Sequence, residues 1–164
     1  PSALVRARDL GLTGAETPAE LEADERLCRR IAQIRAGAAQ AMGIGPDLAA
    51  LTTPKIVLLS PPRHGGSVST RSFIPLRVHQ AIGVLGAASV AAAVRLPGTV
   101  AQGLSHSPVP REAIRIEHPT GFLDLGVTTA PGDSSSITST TIIRTARMIM
   151  DGTVHPGPAQ HAPA

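Results

Sequence analysis

The sequence lacks tryptophan and tyrosine, and its 164 residues include only two phenylalanines and one cysteine. Lysine occurs once, at Lys55, and the formal net charge is only +3, with no run of basic residues. Proteins that bind nucleic acids normally combine clustered bases with stacking aromatic side chains, so we expect no nucleic-acid partner. The single cysteine, Cys28, excludes an internal disulfide and fits a reducing cytoplasm, which is the localisation that we expect.

Several motifs that carry chemistry are also absent. There is no G-x-S-x-G nucleophile elbow, no dinucleotide-binding fingerprint and no phosphate-binding loop after the diglycine at residues 65–66. Six histidines are present, but no two have the i,i+4 spacing of a helical metal site and no carboxylate joins them in a ligand pattern. We therefore expect no metal site and no cofactor.

The most apolar stretch covers residues 73–96, and residues 81–94 carry no charge. Because Pro75 cannot lie inside a helix, the sequence predicts a helix over residues 77–96, ended by Gly98. The uncharged stretch is too short for a membrane span, so we expect no membrane partner. A helix that is apolar on all sides is typical of a protein centre, and the pattern favours a central helix wrapped by a sheet.

The N-terminal end of this predicted helix is the candidate functional site. The first turn of a helix presents unpaired N–H groups and the positive end of the helix dipole, which together favour an anion. Basic side chains occur in the first turn, in the preceding strand and in the turn before it, although side chains of these types are more often simply solvated. The candidate substrate-binding residues are Arg63, Arg71, Arg77, His79 and Gly86, with His64 nearby.

The remaining elements follow from periodicity and turn residues. Thr17-Pro18 predicts a helix start, and apolar residues then recur at helical spacing to Gly43, with the arginines on the opposite, solvated face. Alternation predicts two hairpins and a last strand. Strands are expected at residues 2–8, 55–60, 67–73, 112–117, 122–128 and 137–149, with a loop at 129–136. We divide the chain into a leading segment at 1–45, a domain at 46–154 and a flexible tail at 155–164.

Five spaced segments identify a family. In chain order they are similar to segments of the PrpF family, which includes 2-methylaconitate cis–trans isomerases and 4-oxalomesaconate tautomerases. The segments are VRARDLGLTGAETPAEL (residues 5–21), SPPRHGG (60–66), RSFIPLRVHQAIGVLGAASVAAA (71–93), IEHPTG (116–121) and RTARMIMDGTV (144–154).

The resemblance implies an α+β fold, one half of a diaminopimelate epimerase-like protein, with a curled, mostly antiparallel sheet around a central apolar helix. It implies that the chain, which starts at Pro1 without a methionine, corresponds to the C-terminal half of a longer enzyme. The richness in arginine, alanine, glycine and proline, with a single lysine, is typical of a high-GC bacterial gene. The family's acid/base pair, a lysine and a cysteine, belongs to the N-terminal half. Neither Lys55 nor Cys28 lies in a matching motif, and Leu76 stands where the family commonly has histidine.

The activity that the resemblance implies is a cofactor-independent allylic proton shift on an unsaturated tricarboxylate. The expected partners are this polycarboxylate substrate, the N-terminal half of the enzyme and, as a further possibility, a second copy of the chain. Two alternatives remain open at this point. One is another relative of proline racemase or diaminopimelate epimerase, and the other is a non-catalytic anion-binding or structural module derived from an epimerase half.

Overall fold

A computed structural model describes residues 1–45, 47–104, 113–153 and 155. Seven strands and three α-helices make up the regular structure of this described part, together with a 3-10 turn at Ala7–Leu10. The strands are β1 (Ser2–Arg6), β2 (Lys55–Ser60), β3 (Val68–Phe73), β4 (Val78–His79), β5 (Ala113–His118), β6 (Gly121–Ala130) and β7 (Asp133–Ile143). The helices are α1 (Pro18–Ala23), α2 (Glu25–Ala41) and α3 (Val84–Arg95).

The strands form one mixed sheet in the order β1-β2-β3-β5-β6-β7, and the short β4 pairs with the end of β3. Pairing is antiparallel within β2–β3, β3–β4, β5–β6 and β6–β7, and parallel within β1–β2 and β3–β5. Both hairpins predicted from alternation are therefore confirmed, and so is the α+β class with a mostly antiparallel sheet. Because β1 pairs with β2, residues of the predicted leading segment and of the predicted domain share one sheet. The domain boundaries at 45 and 154 stay a prediction.

Helix α3 covers one face of the sheet. Its buried residues, Gly86, Ala87, Val90, Ala91 and Ala93, lie on one side of the helix. All of them except Gly86 belong to a core cluster that also contains inward-facing residues of β2, β3, β5 and β6. Four of these five are alanine or glycine, so the helix can lie close to the strands. The opposite side of α3 is uncovered within the described residues, and Leu85 is 80% exposed.

Helices α1 and α2 cover the other face of the sheet. Thr17 caps α1 in a capping box with Glu20, and Asp24 caps α2 through the N–H of Leu27. Both caps follow from sequence, since a hydroxyl or carboxylate at the N-cap accepts a bond from an otherwise unpaired N–H. Leu21, Leu27 and Ile31 form a second cluster with Ile56, Leu58, Phe73 and Val78.

The predicted helix at 77–96 is wrong at its start. Residues 78 and 79 form β4, with Val78 opposite Phe73 and His79 opposite Ser72, and the helix begins only after Gly83. Sequence periodicity cannot detect this pairing, because it depends on the chain reversing direction after β3. Arg77 and His79 consequently lie outside the first helical turn.

The C-terminal part of the sheet also differs from expectation. The predicted loop at 129–136 is the end of a long hairpin, since β6 continues to Ala130 and β7 starts at Asp133. The last strand ends at Ile143 instead of residue 149, and residues 144–153 have no regular structure. Apart from His155, the predicted tail at 155–164 lies outside the described residues.

Arg35 on α2 is buried rather than solvated, which corrects the prediction of an entirely solvated basic face. Its side chain is 7% exposed and crosses to the loop before β2. There its guanidinium donates to four backbone carbonyl oxygens, those of Leu48, Leu51, Thr53 and Pro54, at 2.6–3.2 Å.

No helix in the described residues is long and apolar enough to cross a membrane.

Candidate functional site

A cleft of about 690 Å³ runs along β4, between α1 and the start of α3. Its walls come from three stretches of chain that the sheet brings together: the first turns of α1, the strand β4 and the connection from β4 to α3. The lining residues are Pro18, Ala19, Glu22, Arg77, Val78, His79, Gln80, Ala81, Ile82 and Gly83.

Glu22 joins the two sides of this cleft. One carboxylate oxygen accepts the backbone N–H of Val78 at 2.7 Å, and the other lies 3.1 Å from Nε of Arg77. Arg77 is a predicted site residue, but its charge is already paired with this carboxylate, and its side chain is 82% exposed. An exposed ion pair of this kind is weak, about 0–1 kcal/mol, so an incoming carboxylate can compete for Arg77.

The start of α3 forms the end of the cleft. Gly83 is the N-cap, and it supplies no side-chain hydrogen bond to the first turn. The first intrahelical bond runs from the N–H of Ala87 to the carbonyl of Gly83, at 2.9 Å. The N–H groups that precede Ala87 therefore have no acceptor within the helix, which is the property that favours an anion here. Gly86, another predicted site residue, is one of these donors and is buried against Ile82.

The exposed His79 lines the cleft, four residues before the N-cap. It keeps its predicted position near the helix start but occupies β4 instead of the first turn. Leu76, where the family commonly has histidine, lies in the turn between β3 and β4, is 39% exposed and does not line the described cleft.

The other two predicted site residues, Arg63 and Arg71, do not line this cleft. The basic residues that the sequence predicted as one cluster therefore lie in two places, Arg77 and His79 at the cleft and Arg63 and Arg71 away from it. Arg71 is half-buried, and its guanidinium donates to the carbonyls of Glu16 and Thr70 at 2.8 and 2.9 Å. Burial lowers the pKa of Arg71, and the negative charge of Glu16 partly offsets this effect. Arg63 is exposed, and its positive charge also acts on Arg71. The role of both residues in substrate binding stays a prediction.

Glu117, at the end of β5, organises the loop that carries Arg63. Its side chain is 2% exposed, and its carboxylate accepts the backbone N–H groups of Arg63, His64 and Gly66 at 2.7–2.9 Å. Burial alone would raise the pKa of Glu117, but these three N–H donors stabilise the ionised form and the pKa lies below its usual range. The loop at 61–66 is thus shaped around a carboxylate of the protein itself.

Gly66 is required by this arrangement. A Cβ at this position would lie 2.6 Å from Cγ of Glu117 and 3.0 Å from the carbonyl oxygen of Arg115. The diglycine, which has no phosphate-binding motif in the sequence, thus brings backbone close to a carboxylate of the protein itself. Sequence reasoning missed both Glu117 and Glu22, because each acts through backbone N–H groups that lie more than 50 residues away in the chain.

Cys28 and the histidines do not form a further reactive centre in the described residues. Sγ of Cys28 lies 3.7 Å from the carbonyl oxygens of Leu21 and Glu22, inside the α1–α2 corner. Within residues 1–45, 47–104, 113–153 and 155, no group of three or more His, Cys, Asp or Glu side chains is placed to hold a metal ion.

Comparison with curated proteins gives relatives that are isomerases by name. The chain is 44% identical over 155 residues to a 4-oxalomesaconate tautomerase from Pseudomonas putida, and 41% identical over 155 residues to a (4E)-oxalomesaconate Delta-isomerase from Novosphingobium sp.. A 2-methyl-aconitate isomerase from Shewanella oneidensis is 28% identical. Each match covers 94% of this chain but only 42–43% of the relative, so the chain spans less than half the length of these relatives.

The fold is also that of a solved isomerase. The crystal structure of a methylitaconate-delta-isomerase superposes with a TM-score of 0.73, covering 88% of this chain and 43% of that one, at 21% identity. This likeness establishes the fold alone. The family model described as PrpF protein matches residues 1–156, and with relatives that are more than 40% identical it supports the resemblance drawn from the sequence motifs. The chain belongs to the PrpF family.

Proposed function

We propose that this chain is the C-terminal part of a cofactor-independent isomerase that moves a proton across the allylic system of an unsaturated tricarboxylate. The substrate is of the 4-oxalomesaconate or 2-methylaconitate type. The observation that carries the proposal is the cleft along β4, where Arg77, His79 and the uncapped start of α3 face the same space. The names of the relatives support the chemical class.

In this proposal the chain supplies the substrate-binding wall of the active site. Removing a proton next to a carboxylate or carbonyl creates enolate-like charge, which fixed dipoles and cations stabilise. The N–H groups at the start of α3 are such fixed dipoles, and His79 and Arg77 offer hydrogen-bond donors beside them. The acid and base that move the proton lie in the N-terminal part of the longer enzyme.

The experiment that tests this proposal is a chimera. This chain replaces the matching C-terminal segment of the Pseudomonas putida relative, and the ultraviolet absorbance of 4-oxalomesaconate reports interconversion of its keto and enol forms. We expect turnover by the chimera and none by the 164-residue chain alone. Turnover by the isolated chain would contradict the placement of the acid and base. A chimera that binds the acid without turnover would favour a non-catalytic binding module.

Within the active chimera, His79→Ala is expected to lower kcat/KM by about 10-fold or more, because one hydrogen bond to a charged carboxylate contributes about 1.5–3 kcal/mol. The control is Arg29→Ala, which removes an exposed charge from α2 on the other side of the sheet. Steady-state kinetics of the two variants make the comparison. Equal kinetics for His79→Ala and the unmodified chimera would remove His79 from the site.

A further inference from the structure

The turn between β5 and β6 contacts both groups of predicted site residues. It belongs to the segment IEHPTG (residues 116–121), in which Glu117 holds the loop that carries Arg63. Further along the same segment, the hydroxyl of Thr120 donates to the backbone carbonyl oxygen of Gln80 at 2.8 Å. Gln80 lines the cleft and directly follows β4. One short turn therefore contacts the loop of Arg63 and the wall of the cleft.

The contact with Gln80 supports a segment that has no regular structure. Residues 80–83 connect β4 to α3 and belong to neither a strand nor a helix. The buried Ile82 anchors the end of this connection next to α3, and the Thr120 hydroxyl anchors the end next to His79. Thr120 itself lies in the two-residue turn of a hairpin that is paired at six positions. The hydrogen bond thus ties an irregular segment to a regular one.

His118 orients the hydroxyl of Thr120. Its Nδ1 lies 3.3 Å from Oγ of Thr120, and its ring lies beside Gly121, where an added Cβ would be 3.8 Å from Cε1. A hydroxyl has one hydrogen to donate, and the carbonyl oxygen of Gln80 can only accept. The Thr120 hydroxyl therefore accepts from Nδ1–H of His118, so Nε2 carries no hydrogen in the neutral ring. A hydroxyl that accepts a hydrogen bond is also a stronger donor.

We propose that Thr120, oriented by His118, is a positioning residue for the cleft. The hydrogen-bond chain runs from Nδ1–H of His118 through the Thr120 hydroxyl to the carbonyl of Gln80, and it fixes the direction in which the connection leaves β4. That direction sets where His79 lies relative to the first-turn N–H groups of α3. Neither Thr120 nor His118 lines the described cleft, so both act through the backbone, and their effect on turnover rests on the proposed function.

Nuclear magnetic resonance of the 164-residue chain tests this hydrogen-bond chain without turnover. Ring nitrogen chemical shifts, recorded at about pH 9 where neutral imidazole predominates, distinguish the Nδ1–H form from the Nε2–H form. An imidazole free in water favours Nε2–H, but we expect Nδ1–H for His118, whose signal is assigned by its loss in His118→Asn. Thr120→Val should return the ring toward the free preference. An Nε2–H ring in the unmodified chain would contradict the orientation of Thr120 by His118.

Backbone amide signals in the same sample report the position of the connection. Thr120→Val removes the hydroxyl and keeps the shape, so the signals of residues 80–83 should shift, whereas Thr120→Ser keeps the hydroxyl and should leave them in place. The matched control is Thr138→Val, because the Thr138 hydroxyl also donates to a backbone carbonyl oxygen, that of Thr128, and does not line the described cleft. Unshifted signals of residues 80–83 in Thr120→Val would overturn the proposal.

Kinetics of the chimera measure the consequence for the reaction. We expect Thr120→Val to lower kcat/KM about 3- to 10-fold, the factor for one lost neutral hydrogen bond, and Thr120→Ser to stay within about 2-fold. His118→Asn keeps an N–H donor at the place of Nδ1 and should retain activity, whereas His118→Gln places its donor nearer Nε2 and should resemble Thr120→Val. Equal kcat/KM for Thr120→Val and Thr138→Val would show a role in stability alone and would reject the positioning role.

These outcomes are distinct from those that decide the proposed function. Shifted signals of residues 80–83 in Thr120→Val, together with an inactive chimera, would keep the positioning of the cleft wall and discard the proposed reaction. An active chimera whose Thr120→Val variant matches its Thr138→Val variant would keep the reaction and discard the positioning.

Discussion

Replacing Glu117 by alanine is expected to lower the free energy of unfolding by about 3 kcal/mol or more. The substitution leaves three backbone N–H groups without their acceptor, of which that of Gly66 is buried, and it removes packing beside Gly66. Denaturant unfolding followed by circular dichroism measures the change. The matched control is Glu25→Ala, whose carboxylate is exposed on α2 and should cost less than about 0.5 kcal/mol.

Glu117 should also determine part of the acid sensitivity of the fold. Its folded-state pKa lies below the ordinary value of 4.5, because the three N–H donors outweigh the effect of burial. The carboxylate therefore stabilises the fold fully above about pH 4.5, and this stabilisation is lost as the pH falls through the lower, folded-state pKa. Glu117→Gln is expected to flatten the loss of stability below pH 4.5. If the free energy of unfolding of Glu117→Gln falls as steeply below pH 4.5 as that of the unmodified chain, this role is contradicted.

Replacing Arg35 by alanine is the second change with a large expected effect, about 3 kcal/mol of destabilisation. Its guanidinium is the shared donor for four carbonyl groups in the loop before β2, and these acceptors would lose a charged partner. Loss of the side chain would also leave a cavity, since Arg35 is 7% exposed. Thermal and denaturant unfolding measure the effect.

Arg30→Ala is the control for this substitution, because Arg30 is on the same helix but exposed, and we expect a change below about 0.5 kcal/mol. Arg35→Lys keeps the charge, but its ammonium group cannot reach several carbonyl groups as a planar guanidinium does. The destabilisation by Arg35→Lys should therefore fall between those of Arg30→Ala and Arg35→Ala. A cost for Arg35→Ala no larger than that for Arg30→Ala would show that the loop does not need the guanidinium.

The buried position of Arg35 was available in the sequence. Leu27, Ile31, Arg35 and Ala39 recur at intervals of four, and these are the buried residues of α2. The charge of Arg35 predicts a solvated position, although its spacing places it in the buried stripe. A long cationic side chain can be buried where backbone carbonyl groups accept hydrogen bonds from its N–H groups. The positions of loop carbonyl groups cannot be located from sequence.

Other parts of the fold followed from local patterns. The hairpins were predictable because alternating apolar residues and turn residues coincide along the same short segments. The start of α3 was not, since residues 78–79 read as helical by composition and are held in β4 by pairing with β3. The burial of Glu117 was equally unpredictable. In the alternation of β5, Glu117 points to the face of the strand opposite the one that Ile116 buries, and the folded loop at 61–66 covers it there.

The candidate site was therefore predictable in its residue types and only partly in its geometry. His79, Arg77 and Gly86 lie near the start of α3, as the predicted helix indicated, while Arg63 and Arg71 belong to a different part of the sheet. Lys55 matches no family motif, yet its Nζ lies beside the start of α3, 4.0 Å from where a Cβ at Gly83 would be. Its position at the N-cap of α3 is a product of strand register and helix placement, which no local pattern encodes.

The join between β3 and β5 has a consequence for the internal motions of the protein. Among the described residues, the two strands pair at two positions, Val68 with Ile116 and Ser69 with Glu117, whereas the hairpins on either side pair over five or more. We therefore expect sub-global opening of the sheet to follow this narrow seam, with β1–β2–β3 on one side of it and β5–β6–β7 on the other. Native-state hydrogen exchange should then resolve two groups of amides, with those at 63–66 and 115–117 exchanging together when the two sides separate while the interior of β6 stays protected.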